Sequence, residues 1–230
     1  MNHKSKEIST MEKSCRVKIG AVIPRYQNEA SDMEIAVIAP AAITADGTFD
    51  AEALKKSKIK VDEAFLRKQQ ENQDSLLSMV DDIIIKLSPP FDNAVVTPEF
   101  AGCLVSSNCA IIRIGNTSEL DPRYLSAFLA SSGTKKELEE SANGTLKRIR
   151  TSDLSGIEIP LVHLEYQKKI VELHTLKQKL KDFDPWKALF SEASSIDPDI
   201  DAIFSDLYQN VMSLKTNIQR LKEKNHAQTQ

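Results

Sequence analysis

The last third of the chain carries a heptad pattern, the sequence feature that most restricts the fold. Apolar residues recur at intervals of 3, 4, 3, 4 and 3 positions: Phe204, Leu207, Val211, Leu214, Ile218 and Leu221. This spacing is typical of a helix that buries one narrow stripe against another helix. The segment from Tyr166 to Phe183 has a similar spacing, so we expect two helices that pair within one chain or between two chains.

Residues 33 to about 160 have a different pattern, in which short β-branched runs alternate with turn residues. The runs Glu34–Pro40, Asp82–Leu87 and Cys109–Gly115 each predict a strand that is buried on at least one face. Gly156–Pro160 predicts a short final strand. Strands of this length, separated by turns and helical stretches, indicate a mixed domain rather than a helical bundle.

One helix is expected within this zone, over residues 121–140. Asp121 suits the N-cap position, Pro122 suits the first helical position, and apolar residues follow at helical spacing. A turn is expected at residues 45–50, where Gly47 supplies the positive φ that such turns favour.

Together these patterns predict an α+β fold, with a mixed α/β domain over residues 1–163 and a helical, coiled-coil-like arm over residues 164–230. The 230 residues suffice for one sizeable domain plus an appendage. No apolar run approaches the roughly 18 residues that span a membrane, and no secretory signal is evident. Cys15, Cys103 and Cys109 lack the spacing of a zinc or redox site, so we expect reduced thiols and a cytoplasmic protein.

The stretch Ser-Pro-Pro-Phe at residues 88–91 raises the question of catalysis. Amino-methyltransferases that modify adenine or cytosine in DNA carry a loop of Asn, Asp or Ser, then Pro-Pro, then Tyr or Phe. Such an enzyme also needs a methyl-donor site, which its fold builds on a glycine-rich turn. The seven glycines of this chain include no Gly-x-Gly, so we expect a strand end at this loop, with no cofactor and no catalysis.

Other catalytic patterns are also missing from the sequence. It contains no phosphate-binding loop and no nucleophile elbow, and its four histidines are scattered, so no metal site is expected. The pair Asp81-Asp82 is the best group of acids. Because the pair precedes an apolar strand, we expect it to be solvated rather than to bind a metal.

An ordered series of motifs occupies the second half of the domain. In chain order these are Gly144, Ile149, Asp153-Leu154, the strand Ile157–Pro160 and the helix start Leu164–Ile170, which contains Gln167. The series resembles the end of a target recognition domain in the specificity subunit of type I restriction-modification enzymes. Earlier segments resemble the rest of that domain: residues 17–24, 81–90, 104–114 and 121–145, with Asp81 where the family usually has glycine.

This resemblance implies a non-catalytic subunit that binds double-stranded DNA and directs partner methyltransferase subunits, and in a complete complex the restriction subunit, to a target sequence. Full specificity subunits carry two recognition domains and two helices. This chain has room for one of each, which implies a half-subunit that forms a homodimer through its arm. The family's spacer helix is usually continuous, whereas Pro185 and Pro198 interrupt the arm here.

Two segments are candidates for DNA contact. The first is the loop at residues 143–152, where glycine permits a close turn and arginine or amide side chains can read base edges. Its candidate residues are Asn143, Lys147, Arg148 and Arg150. The second follows residues 17–24, which resemble the opening strand and turn of the family's domain, and it combines a cation, an aromatic ring and two amides. Its candidate residues are Arg25, Tyr26, Gln27 and Asn28.

Each candidate has a simpler alternative, which is an ordinary solvated loop. Lys135 and Lys136 are weaker candidates, because a charged pair on a helix is usually only exposed. At the level of the whole protein, the alternative is a protein-protein adaptor on the same fold without a DNA role. A formal net charge of −3 and a pI of about 5.9 favour that alternative, because any DNA surface must then be a local patch.

Overall fold

A computed structural model describes residues 7–72, 74–145 and 147–181. The chain divides into two compact units, residues 1–178 and 179–230, and nearly all described residues belong to the first. The predicted heptad seam Phe204–Leu221 and the two proline breaks lie outside the described residues. The pairing of the arm therefore stays a prediction.

The described part contains nine strands, seven α-helices and three short 3-10 helices, the last at Ile23–Arg25, Pro40–Ala42 and Pro98–Phe100. The strands are β1 (Glu7–Thr10), β2 (Cys15–Ile19), β3 (Glu34–Ile38), β4 (Lys58–Lys60), β5 (Ile83–Lys86), β6 (Asn93–Val95), β7 (Leu104–Val105), β8 (Cys109–Ile114) and β9 (Glu158–Leu161). The helices are α1 (Met11–Ser14), α2 (Ala51–Lys56), α3 (Glu63–Gln70), α4 (Pro122–Leu129), α5 (Ser132–Ser141), α6 (Thr151–Ser155) and α7 (Leu164–Lys181). All four predicted strands are confirmed, as β3, β5, β8 and β9.

An antiparallel sheet in the order β2-β8-β5-β6 forms the centre of the first unit. β5 has a neighbour on each side and is buried on both faces. Ile83 and Ile85 pack into one apolar cluster together with residues of α4, whereas Ile84 packs into a second cluster on the opposite face. Because successive side chains of a strand point to opposite faces, an unbroken isoleucine run is what a strand covered on both sides requires.

Two smaller β structures complete the unit. β3 lies between β4, with which it is antiparallel, and β7, with which it is parallel. A third apolar cluster, which includes Ile35, Val61 and Leu104, covers this sheet. β1 and β9 form a separate two-stranded antiparallel ribbon, and β9 is followed in the chain by α7.

The prediction of one helix over residues 121–140 is wrong in its continuity, because two helices occupy this stretch. The start is as predicted: Asp121 is the N-cap, and its carboxylate accepts a hydrogen bond from the backbone N–H of Arg123 at 2.7 Å. The first helix ends at Leu129. Ser131 then begins α5 as a second N-cap, with its hydroxyl accepting from the Thr134 N–H at 3.3 Å. A serine that caps a new helix in this way turns the chain out of the old one.

Two residues that the sequence analysis named, Gly47 and Asp81, have a positive φ. Gly47 has a φ of +82°, as predicted for its turn. Asp81 has a φ of +70°, in the left-handed region that glycine enters without steric cost. The backbone at Asp81 therefore has the conformation for which the family's usual glycine is suited.

The expectation that the acidic pair before β5 is solvated is wrong for Asp82. This residue is only 1% exposed, and the guanidinium of Arg113 in β8 donates two hydrogen bonds to its carboxylate, of 2.8 and 2.7 Å. The backbone N–H of Met79 donates a third, at 2.8 Å. A carboxylate that is paired and hydrogen-bonded can be buried, whereas a lone carboxylate cannot. The sequence did not reveal this pair because Arg113 is distant from Asp82 along the chain.

Candidate nucleic-acid interface

The Ser-Pro-Pro-Phe stretch follows the end of β5; Pro89 and Pro90 are exposed, whereas its last residue enters the core. Phe91 is fully buried and belongs to the same apolar cluster as Ile83 and Ile85. Its φ of +54° directs the chain back into β6. An aromatic ring enclosed by the core has no face available for a nucleobase. The expectation of a strand end at this loop is confirmed.

The backbone pairs Asn143 with Arg148 as a tight hairpin, and Lys147 lies in its turn. Asn143 and Arg148 exchange two backbone hydrogen bonds, of 3.1 and 3.0 Å, across the loop. Two left-handed residues, Gly144 with a φ of +76° and Lys147 with a φ of +45°, make the turn possible. Lys147 is exposed at the turn, so its ammonium group points into solvent.

The three cations of this loop have different surroundings. Arg148 is half-buried, and its guanidinium donates to the carbonyl of Ser107 and, at 3.2 Å, to the Oδ1 of Asn108. Arg150 is exposed; its backbone N–H donates to the carboxylate of Asp153 at 2.7 Å, and its backbone carbonyl accepts from the N–H groups of Asp153 and Leu154 at 3.1 and 3.3 Å. Within the part of the chain that the structure describes, the side chains of Lys147 and Arg150 have no partner. Arg148 therefore holds the loop in place, while the other two cations are available to a ligand.

Four chain segments meet at this end of the central sheet. The Ile149 N–H donates to the carbonyl of Leu87 at 2.9 Å, and the Leu87 N–H donates to the carbonyl of Asn108 at 3.0 Å. The Ser107 N–H donates to the carbonyl of Ala21 at 2.7 Å. We call the surface made by residues 20–22, 88–90, 106–108, 143–145 and 147–150 the loop face.

Gly20 allows two of these segments to approach closely. A β-carbon at this position would lie 2.3 Å from the carbonyl oxygen of Ser106 and 2.5 Å from that of Val105. No side chain fits there, so the glycine is a packing requirement. The approach links the turn at residues 106–108 to the chain that continues into Arg25.

The second candidate segment, Arg25–Asn28, begins in a short 3-10 turn at residues Ile23–Arg25. Tyr26 is half-buried and stacks at a tilt on Phe65 of α3, with 4.6 Å between the ring centroids. The Asn28 side chain donates to Asp62 and accepts from the Ala30 N–H at 3.0 Å. These two side chains are therefore engaged within the protein.

The other two members of the segment face solvent. Arg25 is exposed, and its side chain has no partner among residues 7–72, 74–145 and 147–181. Gln27 is exposed and donates to Glu29. Glu29 and Asp62 place negative charge beside this segment, which weakens its attraction for a phosphate.

The weaker candidates on α5 are paired with acids. Lys135 lies 2.9 Å from the carboxylate of Asp92, and Lys86 contacts the same carboxylate at 3.0 Å. Burial raises the pKa of Asp92, but the hydrogen bonds and charges of the two lysines outweigh it and lower the pKa overall. Lys136 lies 3.8 Å from Glu140, and both side chains are exposed.

The start of α7 is fixed to the domain by one buried amide. Gln167 is completely buried, and its Nε2 donates to the carbonyls of Glu119 and Val162, both at 2.7 Å. Its Oε1 accepts from the Asp121 N–H at 2.8 Å. The glutamine of the Leu-x-x-Gln-x-x-Ile motif thus ties the helix to the start of α4 and to the end of β9.

Cys15 and Cys109 are buried and Cys103 is partly buried. Burial raises the pKa of Cys15 and of Cys109 to about 12, and it also raises the pKa of Cys103. None of the three forms a disulfide. No helix in the described part has both the length and the apolar character that crossing a membrane requires.

The chain belongs to the family of type I restriction modification DNA specificity domains, whose model matches residues 17–182. Proteins of this family give restriction-modification systems their DNA sequence specificity and are not themselves catalytic. The predicted family and the predicted non-catalytic role are therefore confirmed. Among curated proteins, none matches this sequence.

The similar solved structures have low sequence identity to this chain. A chain from a study of complex assembly and conformational transition of a type I restriction-modification system has a TM-score of 0.58 and 16% identity, over 90% of this chain and 50% of its own. The type IIG restriction endonuclease BpuSI has a TM-score of 0.50 and 11% identity, over 73% of this chain and 26% of its own. The HsdS subunit from Thermoanaerobacter tengcongensis has a TM-score of 0.49 and 16% identity, over 80% of this chain and 41% of its own. This chain therefore spans half or less of the length of these structures.

Sequence reasoning missed the turn at residues 106–108, to which Arg148 is bound. The available signal was a Ser-Ser-Asn run between two β-branched strands, which is typical of an exposed turn. Its proximity to Arg148 depends on a contact between residues 41 positions apart. Periodicity and local propensity do not reveal such a contact.

Proposed function

We propose that this chain directs methyltransferase subunits, and in a cleaving complex a restriction subunit, to one sequence in double-stranded DNA. The observation that carries this proposal is the loop face, where Lys147 and Arg150 are exposed and unpaired within the described residues. A protein with a net charge of −3 needs such a local cationic surface to attract phosphates.

The two candidate segments have complementary parts in this proposal. Lys147 and Arg150 contact the DNA backbone and fix the register of the domain on the duplex. Asn143, at the base of the same hairpin, is exposed beside them. Arg25 and Gln27 extend the contact, while Tyr26 and Asn28 hold that segment in place through Phe65 and Asp62.

The arm supplies the assembly in this proposal. Within the described residues, α7 exposes a stripe in which Tyr166 is 63% exposed, Ile170 40% and Leu173 66%. Apolar side chains four and three positions apart lie on one helical face and favour a partner helix. We propose that two copies associate through residues 164–230, so that a twofold dimer reads a symmetric split target.

The adaptor alternative keeps one supporting observation, because the same apolar stripe suits a protein partner of any kind. Salt dependence separates the two functions. A DNA-binding domain loses affinity for a random-sequence duplex as salt rises, with a slope set by the number of phosphates it contacts. An adaptor without a DNA role shows no such binding at low salt.

The decisive experiment is a genome-wide map of DNA methylation in cells with and without this gene. We expect one motif to lose its methylation on deletion and to regain it when the wild-type gene is restored. A split palindromic motif supports the dimer. A gene that encodes the K147A/R150A variant should not restore methylation, whereas the matched K13A variant, which removes an exposed cation of α1, should restore it. An unchanged map on deletion would contradict the proposal.

A further inference from the structure

We propose that Asn108 reads a base and that Arg148 is the residue that positions it. This inference rests on the proposed function and names a specificity-determining residue within it. Asn108 lies in the loop face, in the turn between β7 and β8. Its side chain is exposed, next to the hairpin that carries Lys147 and Arg150.

The backbone of Asn108 is held from both sides. Its carbonyl accepts from the Leu87 N–H at 3.0 Å, and its own N–H donates to the hydroxyl of Ser106 at 3.4 Å. The next residue, Cys109, is buried and begins β8. The side chain therefore projects from a fixed point on a rigid sheet, as a selective contact requires.

The contact with Arg148 fixes the orientation of the amide. A guanidinium group only donates hydrogen bonds, so the atom 3.2 Å from its Nη1 is necessarily the Oδ1 of Asn108. The second contact, from Nη2 to the carbonyl of Ser107, prevents the guanidinium from turning away. The Nδ2 group of Asn108 then lies away from Arg148, and within the described residues neither of its hydrogens has an acceptor.

This arrangement matches the edge of adenine in the major groove. Asparagine recognises adenine by accepting from the N6 amino group and donating to N7. Oδ1 has two lone pairs, and Arg148 uses one, so the other can accept from N6 while Nδ2 donates to N7. Arg148 lowers the cost of binding because the amide already has one orientation before DNA arrives.

The test is selection of duplexes from a random-sequence library by the full chain. Wild type should enrich a motif that contains an adenine-thymine pair at one position controlled by Asn108. N108A should relax that position by on the order of ten- to a hundredfold and leave the others unchanged. N108D keeps the shape of the side chain and its contact with Arg148 but only accepts, so it should change the preference from adenine to cytosine.

Two further variants separate positioning from general structural damage. R148A should relax the same single position as N108A, whereas a loss of structure alone would weaken every position together. N116A is the matched control: Asn116 is also exposed but follows the opposite end of β8, so its motif should equal that of wild type. Thermal unfolding of each variant shows which ones are folded.

The outcomes distinguish this inference from the proposed function. If wild type enriches a motif and both N108A and N108D enrich the same motif with the same strength, the role of Asn108 is wrong and the proposed function stands. If R148A leaves the preference at the Asn108 position intact, its positioning role is wrong. If wild type enriches no motif, the proposed function fails and this inference fails with it.

Discussion

The loop at residues 143–150 and the segment at residues 25–28 contain similar residue types but use them differently. In the loop, one arginine is bound to the protein and two cations are unpaired within the described residues. In the segment, the aromatic ring and both amides contact neighbouring side chains, and Arg25 is the single cation. Acidic side chains contact the two amides of the segment, whereas in the loop Asp153 engages a backbone N–H and leaves the Arg150 side chain free.

The difference shows that a cluster of recognition-type residues includes residues that support the surface as well as residues that contact a ligand. Arg148, Tyr26 and Asn28 have the composition of DNA-contacting residues, yet each is held by neighbours in the fold. The exposed cations without partners among the described residues are the ones left for phosphates. Four changes, ordered from the largest expected effect to the smallest, test this division.

The largest effect is expected from Gly20→Ala, which disturbs the connection between the two regions. The new methyl group would overlap the backbone oxygens of Val105 and Ser106, which cannot move without displacing β7. We expect a loss of about 2–3 kcal/mol in the free energy of unfolding. Urea denaturation measures this loss.

The control for that substitution is a glycine with open space. Gly133 lies in α5, and a β-carbon added there meets nothing within 4 Å. Gly133→Ala should therefore stabilise the protein by about 0.5–1 kcal/mol. Equal effects of the two substitutions would show that the close approach at Gly20 is unimportant.

The second change compares the free cations of the two regions. K147A/R150A removes two phosphate contacts, so the slope of log affinity against log salt for a random-sequence duplex should become shallower by about 1.8. R25A should reduce the slope by about half as much, because it removes one. Fluorescence anisotropy between low and moderate salt measures both slopes.

The two salt slopes show whether the loop, the segment at residues 25–28 or both contact phosphates. An unchanged slope for K147A/R150A would show that the loop does not contact phosphates. An unchanged slope for R25A alone would restrict the backbone contact to the loop. K13A, on α1, should bind like wild type and serves as the control.

Much of the fold follows from the sequence because its signals are local. The isoleucines of β5, the Asp121–Pro122 helix start and the turn at Gly47 each depend on neighbours within a few positions. The pair Asp82–Arg113 and the anchor Gln167 could not be predicted in the same way. They depend on residues 31 and 46 positions away, and no local pattern records which distant partner a polar residue will have.

The candidate site shows the same limit more strongly. Sequence reasoning selected eight residues by type, and it could not separate those that brace the surface from those that face solvent. That separation depends on packing: on Phe65 beside Tyr26, on Asp62 beside Asn28 and on Ser107 beside Arg148. The substitutions of Lys147, Arg150 and Arg25 test the proposal that these cations contact DNA.

The third change tests whether Arg148 stabilises the loop through its hydrogen bonds to the protein. R148A removes two hydrogen bonds that join the hairpin to the turn at residues 106–108, so we expect a loss of about 1–2 kcal/mol in the free energy of unfolding. R150A, two residues away and exposed, should change the free energy of unfolding by less than about 0.5 kcal/mol. If R148A and R150A have equal stability, the distinction between a structural Arg148 and an unpaired Arg150 is wrong for this loop.

The smallest expected effect separates stability from binding at a single residue. Lys147 has a φ of +45°, where a side chain is strained, so Lys147→Gly should stabilise the fold by up to about 1 kcal/mol while weakening binding to a random-sequence duplex. Asp81, with a φ of +70°, is the matched case away from the loop face, and Asp81→Gly should bring a similar gain without loss of binding. Thermal unfolding and the salt slope are measured on both variants.

A ligand-binding role at Lys147 predicts that a lysine occupies this strained position even though glycine would be more stable there. Unweakened binding by Lys147→Gly would remove that explanation and leave the strain without a function.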